Sequence, residues 1–171
     1  MHTQRRLWYG AVGLVLVGSL LACKAVSSLV PGGSSAPGVG TPVANDKWEV
    51  TISDPREESR LTGSTNNTYT PKDGYTFLLV DAEFHNLDPS QETKIDGDTL
   101  VLTDSAGVTF TNIGSGFGTF YNLGSKVTYS NDQSDTMTFT LVFTVNKDNI
   151  AQEYKFQFLD LPPITFKVQA Q

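Results

Sequence analysis

The sequence predicts an all-β chain folded as two packed antiparallel sheets. Three observations predict it. Apolar residues recur with a period of two from residue 47 onward, clusters of turn-forming residues separate the runs, and that region carries no helical apolar stripe. A single helical turn at Asn149 to Gln152 is the exception expected. Threonine and aromatic side chains are abundant, as a pleated, half-buried surface favours.

The runs follow in order. "WEVTIS" places Trp48, Val50 and Ile52 on one face. "YTFLLVDAEFHN" places Leu78, Val80, Ala82 and Phe84 on one face, with Phe77 and Leu79 on the other. "TLVLTD" aligns Leu100 with Leu102, and "GVTFT" aligns Val108 with Phe110. "MTFTLVFTV" is the clearest alternation: Met137, Phe139, Leu141, Phe143 and Val145 against Thr138, Thr140, Val142 and Thr144. "YKFQFLD" aligns Tyr154, Phe156 and Phe158, and "ITFKV" aligns Ile164, Phe166 and Val168. "PKDG", "DSAG" and "VNKDN" are the turns between them. Short strands that are apolar on one side must bury that side against a second sheet. The architecture is that of an immunoglobulin-like sandwich without a cysteine pair, so Trp48 and the phenylalanines must supply the cohesion.

The N-terminal part is of another kind. "MHTQRR" is short and basic, and the 16 residues Leu7 to Ala22 are uncharged and mostly apolar. That is the layout of a secretory signal. The run is slightly short for a membrane span, which needs about 20 residues. The adjacent Arg5 and Arg6 lack the other residues of a twin-arginine export signal and read as ordinary n-region charge. "LLAC", Leu20 to Cys23, holds the single cysteine of the chain. It resembles the lipobox of bacterial lipoproteins, in which the cysteine thiol takes a diacylglycerol and the bond before it is cut. The resemblance implies cleavage after Ala22, a lipid on Cys23, and residues 1–22 as signal peptide. The other reading is a plain signal-anchor helix ending in a small buried cysteine.

Residues 23–46 follow as the modified cysteine and a stretch rich in Gly, Ser and Pro, with no apolar periodicity. Such a stretch cannot bury enough surface to order itself. It reads as a disordered tether with a root-mean-square reach of roughly 25–30 Å. Residues 47–171 are then the folded domain. The formal charge of the whole chain is −6, and removal of Arg5 and Arg6 takes it to −8. An acidic surface without a basic stripe disfavours DNA, RNA and anionic lipid as partners.

"PKDGYTFLLVDAEFHNLD", "LVLTDSAGVTF" and "FTLVFTVNKD" share a grammar. A long strand led by Gly74 closes at Asn86, a strand follows with a D-x-x-G turn, and a late strand is rich in Phe. In this the chain resembles the domain-of-unknown-function family 4352, bacterial surface lipoproteins with a telokin-like, immunoglobulin-like sandwich related to the immunoprotective extracellular proteins. The resemblance implies fold and an extracytoplasmic, membrane-anchored location. It brings no catalytic residues.

Candidate sites are few. His85 stands on a strand before Asn86, with no G-x-S-x-G motif to give it a nucleophile. The mature chain would keep one histidine and, after lipidation, no free cysteine, which excludes the usual zinc sets, and no cofactor motif is present. Calcium needs several oxygens, for which Asp96, Asp98 and Asp104 are the candidates. "NIGSGFGTFYNLG", Asn112 to Gly124, is the most unusual segment and reads as a loop. Its aromatics, Phe117, Phe120 and Tyr121, are the candidate binding residues, with Phe117 expected exposed and Phe120 buried. Glu58 to Gly74 is a long polar connection that reads either as a flexible link or as a binding loop. The function expected is a non-catalytic surface interaction module for a protein or an envelope polymer. The alternative is a small-ligand or calcium-binding surface lipoprotein.

Mass spectrometry of the membrane-extracted protein should find an N-terminal peptide that begins at Cys23 and carries a diacylglycerol. Cys23→Ala should move the protein from the membrane fraction or leave it uncleaved. An unmodified Cys23 behind an intact Met1 would favour the signal-anchor.

Overall fold

Alternating apolar side chains build both sheets, and the pairing register shows which face each of them takes. The computed structural model of the chain describes residues 36–88, 95, 97–124, 136–150 and 152–168. Ala22, Cys23 and Asp96 lie outside the described residues. Twelve strands form among those described: β1 (Val43–Ala44), β2 (Trp48–Glu58), β3 (Leu61–Thr62), β4 (Thr68–Tyr69), β5 (Tyr75–Asn86), β6 (Leu100–Asp104), β7 (Thr109–Thr111), β8 (Gly114–Phe117), β9 (Phe120–Leu123), β10 (Thr136–Asn146), β11 (Glu153–Phe158) and β12 (Ile164–Lys167). One sheet has the order β1-β2-β5-β10-β8-β9, and the other β12-β11-β6-β7. The described pairings within both sheets are antiparallel. Strands β3 and β4 form a separate small ribbon. The chain is an antiparallel β-sandwich, as the alternation predicts. Among the described residues no helix is long and apolar enough to cross a membrane.

The main core lies between the two sheets. Val50 stands opposite Phe84, which stands opposite Met137; Ile52, Ala82 and Phe139 form the next row. From the other sheet come Leu102, Phe156 and Ile164 in one row and Leu100 with Phe158 in another. Nearly all of these side chains are buried. Trp48 and Phe84 each meet the edge of the Phe158 ring, with centroids 5.5 and 5.0 Å apart, and Phe84 stacks on Phe139 at 5.2 Å. Each such pair contributes about 0.5–1.5 kcal/mol beyond area burial. Rings from both sheets thus meet in the space between them.

Tyr154 is fully buried in this core and donates its hydroxyl proton to the Asn149 carbonyl at 2.9 Å. Burial, reinforced by Asp104 and Glu57, pushes its pKa up to about 12. The single turn expected at Asn149 to Gln152 is present, with the Gln152 N–H donating to the Asn149 carbonyl at 3.0 Å, and another turn precedes it. A 3₁₀ turn spans Lys147–Asn149, with the Asn146 side chain accepting from the Asp148 N–H.

A second, smaller core covers half of the outer face of the larger sheet. It joins Phe77 and Leu79 of β5 with Leu61, Tyr121 and Val142. The placing of Phe77 and Leu79 on the face opposite Leu78 and Val80 holds. The polar segment Glu58 to Gly74 is more than a loose connection: its β3–β4 ribbon lowers Leu61, 2% exposed, onto this second core.

Two boundaries differ from the sequence reading. The sandwich begins before residue 47. Val43 is buried and pairs with Val50, Gly40 N–H donates to the Ile52 carbonyl at 2.8 Å, and Thr165 N–H donates to the Pro37 carbonyl at 2.8 Å. Composition marked this stretch as tether because backbone pairing needs no apolar side chain. Val108 is half exposed and does not share a buried face with Phe110. It belongs to the D-x-x-G turn, where Gly107 takes a φ of 82° and the Val108 N–H donates to Asp104 Oδ1 at 2.9 Å.

Leu61→Ala should destabilise the protein by about 2–5 kcal/mol in urea unfolding, as a buried leucine does. Val108→Ser should stay within about 0.5 kcal/mol, as surface changes do. Equal effects would contradict a second core under the ribbon.

Candidate functional site

The segment Asn112 to Gly124 is a β-hairpin at the rim of the larger sheet, where the sequence suggested a loop. Strand β8 pairs with β10 on one side and with β9 on the other, through Gly114↔Leu123, Ser115↔Asn122, Gly116↔Tyr121 and Phe117↔Phe120. Two residues, Gly118 and Thr119, make the turn. Gly118 alone of the two takes a positive φ, 63°, which is the type II′ pattern that suits strand twist.

The glycines of β8 serve close approach. A Cβ on Gly114 would lie 2.8 Å from the Leu123 Cα, and one on Gly116 would lie 2.5 Å from Cε1 of the Tyr121 ring. The ring therefore lies against the bare backbone of β8, which pins the hairpin flat. Tyr121 is nearly buried, in the second core.

The Tyr121 hydroxyl lies near enough to Arg56 to favour its charge. Arg56 reaches this face through a β-bulge in β2. Ser53 stands opposite Asp81, yet Arg56 stands opposite Leu79, so one extra residue is inserted. Without the insertion Arg56 would point into the core; with it, the side chain joins the outer face beside Asp81. Asp54, in the bulge, has a φ of 44°. Its carboxylate accepts from Arg56 Nη1 at 2.9 Å and its carbonyl at 3.0 Å. Asp81 meets the same nitrogen at 3.1 Å and accepts from the Thr140 hydroxyl. Burial opposes the guanidinium charge, but the Tyr121 hydroxyl, Asp81 and Asp54 outweigh it and hold the pKa above its ordinary value. This network was not read from the sequence. "DPR" is a visible turn signal, but nothing in it shows which strand carries the partner carboxylate.

Phe117 is 82% exposed and Phe120, its direct cross-strand partner, is 48% exposed. The exposure expected of Phe117 is found. The burial expected of Phe120 is not, because at the tip of a rim hairpin no opposing sheet reaches it. Phe117 is among the residues that line two shallow depressions. One, of about 320 Å³, is lined by Ser53, Arg56, Asp81, Thr138 and Thr140. The other, of about 330 Å³, is lined by Ser64, Ser115, Phe120, Tyr121 and Asn122.

The two calcium candidates among the described residues, Asp98 and Asp104, do not converge. Asp98 precedes β6 and Asp104 ends it, and the strand alone separates them by about 13 Å. Asp104 is buried, and its Oδ1 accepts from the Ala106 and Val108 N–H groups. Among the described residues no three His, Cys, Asp or Glu side chains are grouped to hold a metal ion. His85 stands across from Glu49, with Nδ1 and Oε1 3.8 Å apart and both side chains about two-fifths exposed.

No family model matches the sequence, and no curated protein matches it. Among solved structures, the chain is similar to an uncharacterized β-sandwich protein from Clostridium difficile 630. Identity is 14%, coverage is 81% of this chain and 99% of that one, and the TM-score is 0.50. It is also similar to a conserved hypothetical protein from Bacillus anthracis, at 13% identity, 75% and 95% coverage and a TM-score of 0.47. The first likeness supports the β-sandwich fold.

Gly116→Ala should push the Tyr121 ring off β8 and destabilise the protein by about 1–3 kcal/mol, the range for overpacking. Thermal unfolding of the variant and of wild type would measure it. An unchanged melting temperature would mean that the ring does not depend on the bare backbone.

Proposed function

We propose that this chain is a non-catalytic surface interaction module of the family 4352 kind, lipid-anchored through Cys23 on the extracytoplasmic face and holding a protein or envelope polymer. The β8–β9 hairpin is its recognition element. The observation that carries this reading is Phe117: a large aromatic ring, 82% exposed, on a hairpin packed down through Tyr121. Exposed rings on fixed supports contribute contact area with little loss of conformational entropy on binding. Tyr121 against Gly116, and Arg56 against Tyr121 and Asp81, supply the support.

The chain enters the sandwich at Pro37, beside β12 and the β1 edge of the larger sheet. Strand β9 is the opposite edge of that sheet, five strand spacings or about 24 Å away.

Crosslinking on intact cells should recover a stoichiometric partner with wild type, and Phe117→Ala should lower that recovery about tenfold, as loss of an aromatic anchor does. Undiminished recovery would remove the hairpin from the role.

A further inference from the structure

We propose an activity that goes beyond binding: the folded chain cuts its own Asp54–Pro55 bond, in the bulge of β2.

The site is made of neighbours in sequence. Asp54 and Pro55 fall between the pairs Ser53↔Asp81 and Arg56↔Leu79, so two residues stand where the partner strand supplies one. Neither has a ladder partner. Asp54 takes a φ of 44°, which is costly for a residue with a Cβ and opposes the extended backbone that a following proline favours. Outside glycine, the described residues of positive φ are Asp54, Asn66 and Leu159, and of these Asp54 alone precedes a proline. Breaking the bond releases that constraint.

Arg56 holds the reacting groups together. Its Nη1 donates to the Asp54 carbonyl oxygen at 3.0 Å and to Asp54 Oδ2 at 2.9 Å. One nitrogen thus keeps the carboxylate beside its own carbonyl. It also sets positive charge where negative charge develops on the carbonyl oxygen during attack. Behind Arg56 stands Asp81 of β5, 3.1 Å from the same nitrogen and itself accepting from the Thr140 hydroxyl. The Asp54 side chain is 68% exposed, so water reaches it.

The chemistry needs nothing but these groups and water. A carboxylate oxygen of Asp54 adds to the Asp54 carbonyl carbon. A cyclic anhydride forms as the bond to Pro55 breaks. The electron pair of that bond goes to the proline nitrogen, which takes a proton from solvent. That nitrogen belongs to a tertiary amide and is more basic than an ordinary peptide nitrogen, which eases its departure. Water then opens the anhydride to two carboxyl groups.

The cut pieces stay together in the native fold, because Trp48, Val50 and Ile52 on the N-terminal side are buried and paired with β5. Its use rests on the anchor proposed above, though the cut itself does not. The membrane side would keep β1 and the first half of β2, and the rest of the domain would come away only when those side chains leave the core.

The chain carries its own comparison. Asp88–Pro89 is the same dipeptide, and Asp88 lacks the positive φ. Purified full-length protein is held in mildly acidic buffer, where the leaving nitrogen is readily protonated, and followed by mass spectrometry. Fragments ending at Asp54 and beginning at Pro55 should appear about tenfold faster than those from Asp88–Pro89. In urea the two rates should become equal. Asp54→Ala should abolish the cut, and Arg56→Gln should slow it several-fold, with thermal unfolding to check that this variant folds. Equal rates at the two bonds in the folded protein, an excess that survives urea, or a cut at residue 54 in Asp54→Ala would each overturn the proposal. The two-bond comparison stands even if Arg56→Gln fails to fold. Partner capture by Phe117→Ala bears on the hairpin alone, so either proposal can fail without the other.

Discussion

Strand β5 is apolar on both faces through its first half, and a strand of that kind must be covered twice. Leu78, Val80, Ala82 and Phe84 face the second sheet, while Phe77 and Leu79 face outward. Water on the outer pair would forfeit about 1.5–3 kcal/mol for each side chain left exposed. The larger sheet therefore needs a lid. The β3–β4 ribbon contributes Leu61 to it, and the rim hairpin contributes Tyr121. Everything of functional interest follows from that second burial, because the hairpin held down by Tyr121 is the one that lifts Phe117 into solvent.

The lid covers only part of the face. Past Leu79 the outward residues of β5 turn polar at Asp81, Glu83 and His85, and the neighbouring strands match them with Ser53 and Thr51 on one side and Thr140, Thr138 and Thr136 on the other. Arg56 sits at the border between the covered and the open half. Its aliphatic stem can lie along the apolar side while its head meets Asp81. The bulge at Asp54 and Pro55 makes this possible by shifting β2 one residue out of phase, so that a side chain bound for the core is delivered to the surface. One inserted residue thus joins the packing of the lid to the electrostatics of the open face.

Much of the scaffold was legible in advance. The two-residue period named the faces of Trp48, Phe77 to Phe84, Leu100, Leu102, Met137 to Val145, Tyr154 to Phe158 and Ile164 to Val168 correctly, because burial on a pleated strand is a strictly local rule. It failed at Val108 and at residues 37–46. Val108 follows a turn and is half exposed, and Pro37 and Gly40 are bound through backbone atoms, which leave no trace in side-chain composition. The aromatic segment was recognisable as unusual, but its hairpin pairing and the exposure of Phe120 were not. Both depend on β8 adding to the edge of β10, far away in sequence.

By itself, then, the amino-acid order determined a β-sandwich with a ring-filled core, an acidic surface, and a basic-apolar N-terminal stretch ending in a lipobox-like cysteine. Those are properties of short windows: charge, period and turn chemistry act over a few residues. Tertiary structure alone decided that Asp98 and Asp104 lie at opposite ends of one strand, that Tyr121 lies on Gly116, and that Asp81 meets Arg56 and accepts from Thr140. These joinings bring together residues from β2, β5, β8, β9 and β10, and no local pattern can encode a distance between strands that become neighbours only once the sheet has formed.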